Sequence, residues 1–426
     1  MSTLFRNANF VRLFIASFAS QLGTTVGNMA FAFYLLDHFA KQPYYATLAE
    51  LMYSLPTLLV FFIVGVVADR FNRQRIAEYS DWIRVILSVL FLVTILNGWL
   101  PAAFLVLFLR SAVSKFFAPA EMAILQGIIS KEQYDQAAGL NQMVFGVFML
   151  FGMALGAVAY HTVGIQGAII VDGVSYLVSG IMIRLCKVEP QVNLPNGPSS
   201  WKDLNMKLVL RDFAKGYGYI RSNHLLFTLI IGFFLFGFIN GGFAVLPMFT
   251  MKYKLAPEHF EQFSSYFSIS LGLGFLFGSV LGTVLVKKVA KHHIIIGGIL
   301  LTALLTMSLA VAEKAWIYLV IIGIAGCVLA PLNIAIGGWM PELVEPDKMG
   351  RVSAWIDPVM MLAQSAALGL IAILYPYVVS LEMAYLLLGA VMLLAYMWFQ
   401  WQMPRLVNRP LAERPLQDAE SAPSSH

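Results

Sequence analysis

The stretch Gly65-Val-Val-Ala-Asp-Arg-Phe-Asn-Arg-Gln-Arg75 joins two long apolar runs of a 426-residue chain. The runs 45–67 and 76–96 are each long enough to cross a bilayer, which takes roughly 20 predominantly apolar residues. Between them, three arginines and one aspartate are confined to the short turn. Because lipid offers no hydrogen-bond partner to an exposed backbone, this pattern predicts two membrane-spanning helices with a charged turn at one membrane surface.

The composition of the whole chain agrees with this interpretation. Hydrophobic residues make up 59% of the sequence and charged residues only 12%, whereas a soluble domain carries about a quarter of charged residues. This balance excludes an ordinary soluble enzyme, a disordered protein and a disulfide-stapled secreted domain. The apolar runs are continuous rather than alternating, which disfavours an outer-membrane barrel. We therefore expect an all-α integral membrane protein.

Hydropathy and helix-breaking residues divide the chain into twelve apolar segments. Their limits are 10–36, 45–67, 76–96, 101–122, 139–160, 164–186, 225–250, 263–286, 293–312, 315–339, 352–376 and 380–401. The predicted organisation is an N-terminal six-helix bundle (1–188), a cytoplasmic linker (189–223), a C-terminal six-helix bundle (224–403) and a disordered cytoplasmic tail (404–426).

The distribution of Lys and Arg predicts the orientation of the chain. With the N-terminus inside, 21 of the 28 Lys and Arg residues lie on the inner side and four on the outer side. The remaining three, Arg84, Arg110 and Lys115, lie deeper within segments. The positive-inside rule therefore predicts a multi-pass protein of the cell membrane with both termini in the cytoplasm. Because topology explains the net charge of +5, no nucleic-acid partner is expected.

The two groups of six segments repeat each other at an offset of about half the chain. Asn28-x-x-Phe31-Ala32 recurs as Asn240-x-x-Phe243-Ala244, and Ala118-Pro119 recurs as Ala330-Pro331. Such a repeat predicts two parallel halves, related by an axis along the membrane normal, with a substrate site between them near the midplane. A duplicated receptor or scaffold without transport is the alternative of another class.

The turn 65–75 reads Gly-x-x-x-Asp-Arg-x-x-Arg followed by a basic residue, and it resembles the signature turn of the major facilitator superfamily. The resemblance implies the major facilitator fold. Gly65 allows close helix packing, Asp69 can face the positive N-terminus of a helix, and the arginines can reach Glu121 at the inner end of segment 4. The predicted conformational gate consists of Gly65, Asp69, Arg70, Arg73, Arg75 and Glu121.

Other stretches resemble the macrolide-efflux-type drug exporters of that superfamily, and the resemblance extends over nearly the whole chain. They are Phe108-Leu-Arg110-Ser111, Ala118-Pro119-Ala120, Ser130-Lys131-Glu132-Gln133, Gly139-Leu-Asn141-Gln142 and Gly350-Arg351-Val352-Ser353. What this resemblance implies is proton-driven export of a small amphipathic compound.

Charged and polar residues inside the segments mark the candidate pathway. Arg110 lies roughly 13 Å from the outer start of segment 4 at 1.5 Å per residue, and a central Arg costs about 2.5–3.5 kcal/mol, so it needs a partner or a wet cavity. We expect a role in coupling or substrate contact, with a static ion pair as the alternative. Glu50 and Asp37 are candidate proton acceptors, and for Asp37 an interfacial, solvated position is the favoured alternative. The predicted substrate and proton pathway consists of Arg110, Glu50, Asp37, Asn28, Asn240, Asn333 and Gln364.

Two further charges are predicted to form a structural ion pair. The resembled fold places segments 3 and 6 side by side outside the cavity, which brings Arg84 and Asp172 into reach of each other. Proton transfer is the alternative for this pair. Asp81 and Asp357 lie one turn from the inner face, where gate or interface salt bridges are expected.

The sequence contains no phosphate-binding glycine loop, zinc spacing or nucleophile–base set, so no enzymatic activity, cofactor or metal is predicted. The expected function is secondary active export of small amphipathic drug-like or natural-product compounds, by proton antiport with alternating access. The protein is expected to act as a monomer in the lipid bilayer. Export or flipping of a lipid-like or siderophore-like metabolite is the alternative within transport.

Overall fold

The computed structural model describes residues 4–130, 133–194, 217–343 and 349–407, and the regular structure in these residues is helical. In chain order the long helices are α1 (Ala8–His38), α2 (Tyr44–Arg70), α3 (Arg73–Leu96), α4 (Leu100–Ile128), α5 and α6 (together Tyr134–Arg184), α7 (His224–Thr250), α8 (Phe260–Lys288), α9 (Lys291–Ala310), α10 (Ala315–Leu343), α11 (Met349–Leu374) and α12 (Leu381–Val407). Gly164 has a φ of 66°, a positive value that glycine adopts without strain. It divides α5 (134–163) from α6 (165–184). The predicted all-α membrane fold is confirmed, since each of the twelve predicted segments overlaps one of these helices.

Nine helical stretches among the described residues have the length and hydropathy required to cross a membrane, with α5 and α6 counted as one. Helix α1 is not among them because polar residues such as Gln21, Thr24 and Asn28 lower its hydropathy. The linker expected at 189–223 and the tail expected at 404–426 lie largely outside the described residues. The boundaries of the two bundles therefore stay predictions.

Asparagine side chains begin three of the helices. Asn7 accepts hydrogen bonds from the first turn of α1, and Asn223 accepts one from Leu226 N at 3.1 Å in α7. In the charged turn, Asn72 Oδ1 accepts from Arg75 N at 2.9 Å. Such caps satisfy backbone N–H groups that have no partner within the helix. The turn between α2 and α3 is therefore fixed by its own sequence.

Helix pairing follows the sequence repeat. In the first half, α1 packs against α5 and α6, α2 against α4, and α3 against α4 and α6. The same pairs recur six helices later, with α7 against α11 and α12, α8 against α10, and α9 against α10 and α12. The halves meet mainly through α2 with α11 and through α5 with α8, two contacts that the same pseudo-twofold axis exchanges. The expected contact between segments 3 and 6 is thus present.

The buried apolar residues join the halves at one end of the bundle. At the end where α1 leads into α2, called the external end after the predicted topology, one cluster contains Phe33 of the first half and Phe249 of the second. At the opposite, cytoplasmic end, each half has its own cluster, represented by Leu13 and Phe399. Among the described residues the apolar core is therefore shared by both halves at the external end and divided between them at the opposite end.

Glycine allows helices α8 and α10 to approach closely. A Cβ atom added at Gly278 would lie 2.7 Å from the Cα of Cys327, and one added at Gly274 would meet the backbone of Gly323. Backbone atoms cannot move aside as the end of a side chain can, so only glycine fits at these crossings.

We predict that Gly278→Ala lowers the stability of the second half by about 1–3 kcal/mol, because the added methyl group forces α8 away from α10. Gly297→Ala is the matched control, since a Cβ there meets no atom within 4 Å. The control variant is expected to gain up to about 1 kcal/mol in stability, because alanine has a higher helix propensity than glycine. Apparent Tm values in detergent micelles measure both. Equal Tm values for the two variants would contradict the packing argument.

Candidate functional site

A polar cavity lies within the first half, between helices α1, α2, α4 and α6. Its volume is about 110 Å³, which is room for several water molecules. The lining side chains include Thr24, Asn28, Tyr53, Arg110, Lys115 and Tyr176. In a chain with 59% hydrophobic residues, this concentration of polar groups between spans marks the candidate site.

Arg110 of α4, which lines this cavity, forms a buried ion pair with Asp172 of α6. The two residues are 5% and 0% exposed. Arg110 Nη2 also donates to the Tyr176 hydroxyl at 3.4 Å. Glycine makes room for the pair, because a Cβ at Gly27 of α1 would lie 3.1 Å from Asp172 Cγ. The small residue on α1 thus lets α6 bring its carboxylate to the arginine of α4.

The predicted ion pair between Arg84 and Asp172 does not form. Arg84 pairs instead with Asp81, which lies three residues earlier on the same face of α3. Asp81 also accepts a hydrogen bond from Ser179 of α6. The adjacency of α3 and α6 was predicted correctly, but Asp172 faces Arg110, and Asp81 meets the charge of Arg84 within its own helix.

Tyr176 connects the two ion pairs. The guanidinium of Arg84 lies over its ring, 4.3 Å from the centroid, and that of Arg110 lies 5.8 Å from it. Its hydroxyl is 2.9 Å from the Thr24 hydroxyl of α1. The rings and hydroxyls around the two cations replace part of the hydration that they lose on burial. The first half therefore contains one continuous polar network across α1, α3, α4 and α6.

Three buried atoms at the cavity form no hydrogen bond within the described structure. They are Arg110 Nε, Asp172 Oδ1 and the hydroxyl of Tyr53. Buried polar groups normally have partners, and exceptions concentrate at functional sites. Arg110 and Tyr53 line the cavity and Asp172 pairs with Arg110, so these atoms are groups at or next to the cavity whose hydrogen bonding is incomplete.

The predicted pathway residues separate into two locations in the first half. Arg110 and Asn28 line the cavity. Glu50 is half-buried on α2, one turn before the cavity residue Tyr53. Asp37 lies at the external end, where it accepts from the Tyr160 hydroxyl at 3.2 Å.

The predicted pathway residues of the second half are not among the groups that line this cavity. Asn240 and Asn333 are exposed, and the amide of Asn333 donates to Leu329 O of its own helix at 2.9 Å. The backbone of Gln364 on α11 packs against Gly241 of α7. The equivalence of Asn28 and Asn240 in the repeat therefore does not extend to their surroundings.

Ion pairs between the halves close the external end. Asp37 of α1 pairs with Lys252, just beyond α7, at 3.5 Å, and His161 of α5 pairs with Glu261 of α8. The Lys252 ammonium also lies 3.9 Å from the ring centroid of Phe260. The sequence analysis missed His161, Lys252 and Glu261. Their only sequence signal is charge beside the end of a predicted span, which many residues share.

The charged turn contacts the chain that leaves α6. Arg73 donates to Val192 O at 3.2 Å, and Gln74 Nε2 donates to Ile183 O at 2.9 Å and to Cys186 O at 2.8 Å. Arg75 is exposed. The turn is thereby tied to the start of the linker.

Glu121, whose carboxylate is predicted to pair with the gate arginines, has other neighbours. Glu121 is half-buried on α4, within electrostatic range of Arg84 and Asp81. The side chains of the remaining predicted gate residues, Gly65, Asp69 and Arg70, lie outside the described residues. Their part in the gate stays a prediction.

We predict that breaking the Arg110–Asp172 pair on one side destabilises the protein by about 3–5 kcal/mol, because the remaining charge is buried without compensation. Arg110→Met and Asp172→Asn are the single changes, and the double variant is expected to recover most of the loss. The measurement is a double-mutant cycle of apparent Tm. As a control, combining Arg84→Met with Asp172→Asn gives no recovery. Recovery in that control but not in the first cycle would contradict the pairing.

We predict that the double variant Asp37→Asn, Glu261→Gln opens the external end, because both inter-half ion pairs are lost. Exposed pairs are worth about 0.2–1 kcal/mol each, so a severalfold larger open population is expected. Spin labels at Lys41→Cys and Lys314→Cys, in a variant without the native cysteines, report the distance between the halves.

The matched control for this experiment is Glu382→Gln. Glu382 pairs with Lys254 at 2.8 Å on the same external surface but within the second half. Its loss leaves the distance distribution unchanged. An identical distribution in the wild type and the double variant would show that these pairs do not hold the halves together.

Comparison with known proteins gives three findings. The sequence model of the family described as Major Facilitator Superfamily matches residues 13–368. An uncharacterized MFS-type transporter of Bacillus subtilis (strain 168), YkuC, is 52% identical over 403 residues, covering 94% of each chain. Macrolide efflux protein A of Streptococcus pyogenes is 23% identical over 372 residues, 85% of this chain and 88% of that protein.

Solved structures give the same fold. A POT family transporter in complex with a thioalcohol conjugated peptide superposes with a TM-score of 0.74 at 12% identity, covering 93% of this chain and 96% of that chain. The nucleoside transporter NupG superposes with a TM-score of 0.70 at 13% identity, covering 95% of this chain and 100% of that chain. At these identities the likeness concerns the fold alone.

Proposed function

The chain belongs to the major facilitator superfamily, and from that premise we propose that it exports small amphipathic compounds by proton antiport with alternating access. It is a multi-pass membrane transporter with efflux-type relatives and not an enzyme. The observation that carries the proposal is the buried Arg110–Asp172 ion pair beside a polar cavity. A titratable carboxylate at that depth is costly to keep unless it serves the pathway.

Antiport requires a site at which the proton and the substrate exclude each other. A proton on Asp172 leaves the charge of Arg110 uncompensated on the cavity wall, and only water in the cavity can then solvate it. An apolar part of a substrate that fills the cavity removes this water, so the loaded cavity favours ionised Asp172. Substrate binding from the cytoplasm therefore expels the proton, and substrate release outside allows the next proton to enter.

The arrangement of the halves supports an inward-facing state. If both termini are cytoplasmic, the joined end faces outward and the cavity lies on the side from which an exporter takes its substrate. Release outside then requires that the ion pairs of Asp37 and Glu261 break. The contacts of α2 with α11, including the hydrogen bond from Ser365 to Ser54 at 3.0 Å, supply the surface on which the halves rock.

A gradient supplies the energy. A membrane potential contributes about 2.3 kcal/mol for each charge per 100 mV, which is enough for severalfold accumulation of substrate outside the cell. Within transport, movement of a lipid-like or siderophore-like metabolite is the alternative. Family membership removes the receptor or scaffold as an alternative, since the matching proteins are transporters.

The test is proton movement in proteoliposomes that contain the purified protein and a pH-sensitive dye. The compounds added are a macrolide and a panel of drug-like molecules. Compounds to which expressing cells show altered tolerance are tested first. We predict substrate-dependent proton flux in the wild type and at least about a tenfold loss in Arg110→Gln, equivalent to about 1.4 kcal/mol.

The control is Lys41→Gln, an exposed change in the α1–α2 loop, which keeps the wild-type flux. Normal flux in correctly inserted Arg110→Gln would contradict the role given to this arginine. Substrate movement without any proton flux would contradict antiport.

A further inference from the structure

We propose that the transported compound carries an acidic group, such as a carboxylate, and that Lys115 receives this group in the cavity. The inference rests on the proposed function, because it concerns the charge of the substrate that the same site accepts. It starts from Lys115, a cation that lines the cavity and that has no counter-ion among the side chains the structure describes.

Lys115 lines the cavity on α4, five residues after Arg110. Arg110 has Asp172 as its counter-ion. Lys115, in contrast, forms no ion pair with any residue whose side chain the structure describes. The described lining therefore contains two cations, and only Arg110 has a counter-ion within ion-pair distance. A lysine between spans is costly, and such residues mark substrate or ion pathways.

The remaining groups of the wall are suited to donate hydrogen bonds. The buried hydroxyl of Tyr53 has no hydrogen-bond partner within the described structure. The amide of Asn28 also lines the cavity. Hydrogen bonds from these groups to an ionised acceptor are about twice as strong as neutral ones. An anionic group is thus the ligand chemistry that satisfies the wall most completely.

The carboxylate that interacts with Lys115 belongs to the other half. Asp357 of α11 is exposed and lies within electrostatic range of Lys115 without forming an ion pair. In the inward-facing state the substrate anion is therefore the partner of Lys115. When the cytoplasmic end closes, Asp357 approaches and can replace a substrate that has left. The lysine would exchange partners once in each cycle.

A purely cationic substrate would face repulsion at this site. Like charges near each other are unfavourable, and the effect is strong where water is partly excluded. The cavity therefore favours acids and zwitterions, whatever the apolar part of the molecule. This charge preference is measurable before the substrate is identified.

The first test measures the charge preference of the cavity with two thiol reagents, an anionic sulfonatoethyl and a cationic trimethylammonioethyl methanethiosulfonate. Ser114→Cys supplies the target thiol after Cys186 and Cys327 are replaced by alanine, and Asn28→Cys is a second target should the first fail to fold. The exposed variant Lys41→Cys gives the reference ratio of the two rates.

We expect the anionic reagent to be favoured over the reference ratio. Lys115→Met should lower this preference at least about tenfold, and Asp357→Asn should raise it. Lys115→Arg, which keeps the charge, should retain it. A ratio that favours the cationic reagent, or one that Lys115→Met leaves unchanged, would overturn the proposal.

The second test uses benzoate, benzamide and benzylamine, which share one ring and differ in charge. Each is added at millimolar concentration while a neutral reagent, methyl methanethiosulfonate, labels Ser114→Cys. Benzoate should slow the labelling most, and Lys115→Met should abolish its advantage. Equal protection by the three compounds, or none by benzoate, would refute the acidic-group inference.

Neither labelling experiment requires transport. A cavity that prefers anions in a protein without proton-coupled flux would contradict the proposed function alone. Flux of a macrolide through a cavity with no preference for anions would contradict the inference alone.

Discussion

An arginine and an aspartate held together inside a membrane-spanning bundle govern much of the first half of this protein. Neither Arg110 nor Asp172 can be buried alone, since an isolated charge at that depth costs several kcal/mol. Glycine at position 27 admits the carboxylate, and Tyr176 contacts the guanidinium. The positions of α1, α4 and α6 are therefore tied to one another by the need to neutralise a single pair.

The pair also explains why the cavity is polar while the bundle around it is not. Charges that compensate each other still attract water, and Arg110 lines a space in which water fits. A wet cavity beside a titratable group can exchange protons, whereas a dry one cannot. Under the proposed antiport, the feature that makes the site costly is also the one that couples the substrate to the proton.

The repeat governs the scaffold but not the chemistry. Helix pairs recur from the first half to the second, yet the two ion pairs of the first half have no counterpart among the described residues of the second. The second half contains a cluster of hydroxyl groups instead. The hydroxyls of Tyr318 and Tyr385 are 2.7 Å apart, and the Thr250 hydroxyl lies 3.1 Å from that of Tyr385. Small residues at crossings preserve packing in both halves.

The sequence by itself determined the helices, their number, the family and which charged residues lie inside the apolar segments. Hydropathy and caps are local properties, so twelve segments and the turn at Asn72 followed from the residues directly. Partner choice was decided only by the tertiary structure. Arg84 was assigned to Asp172 because their helices are neighbours, but the rotation of each helix about its axis turned Asp172 towards Arg110 and left Arg84 to Asp81. The inter-half pair of His161 with Glu261 likewise depends on how two rigid halves meet, which no local pattern records.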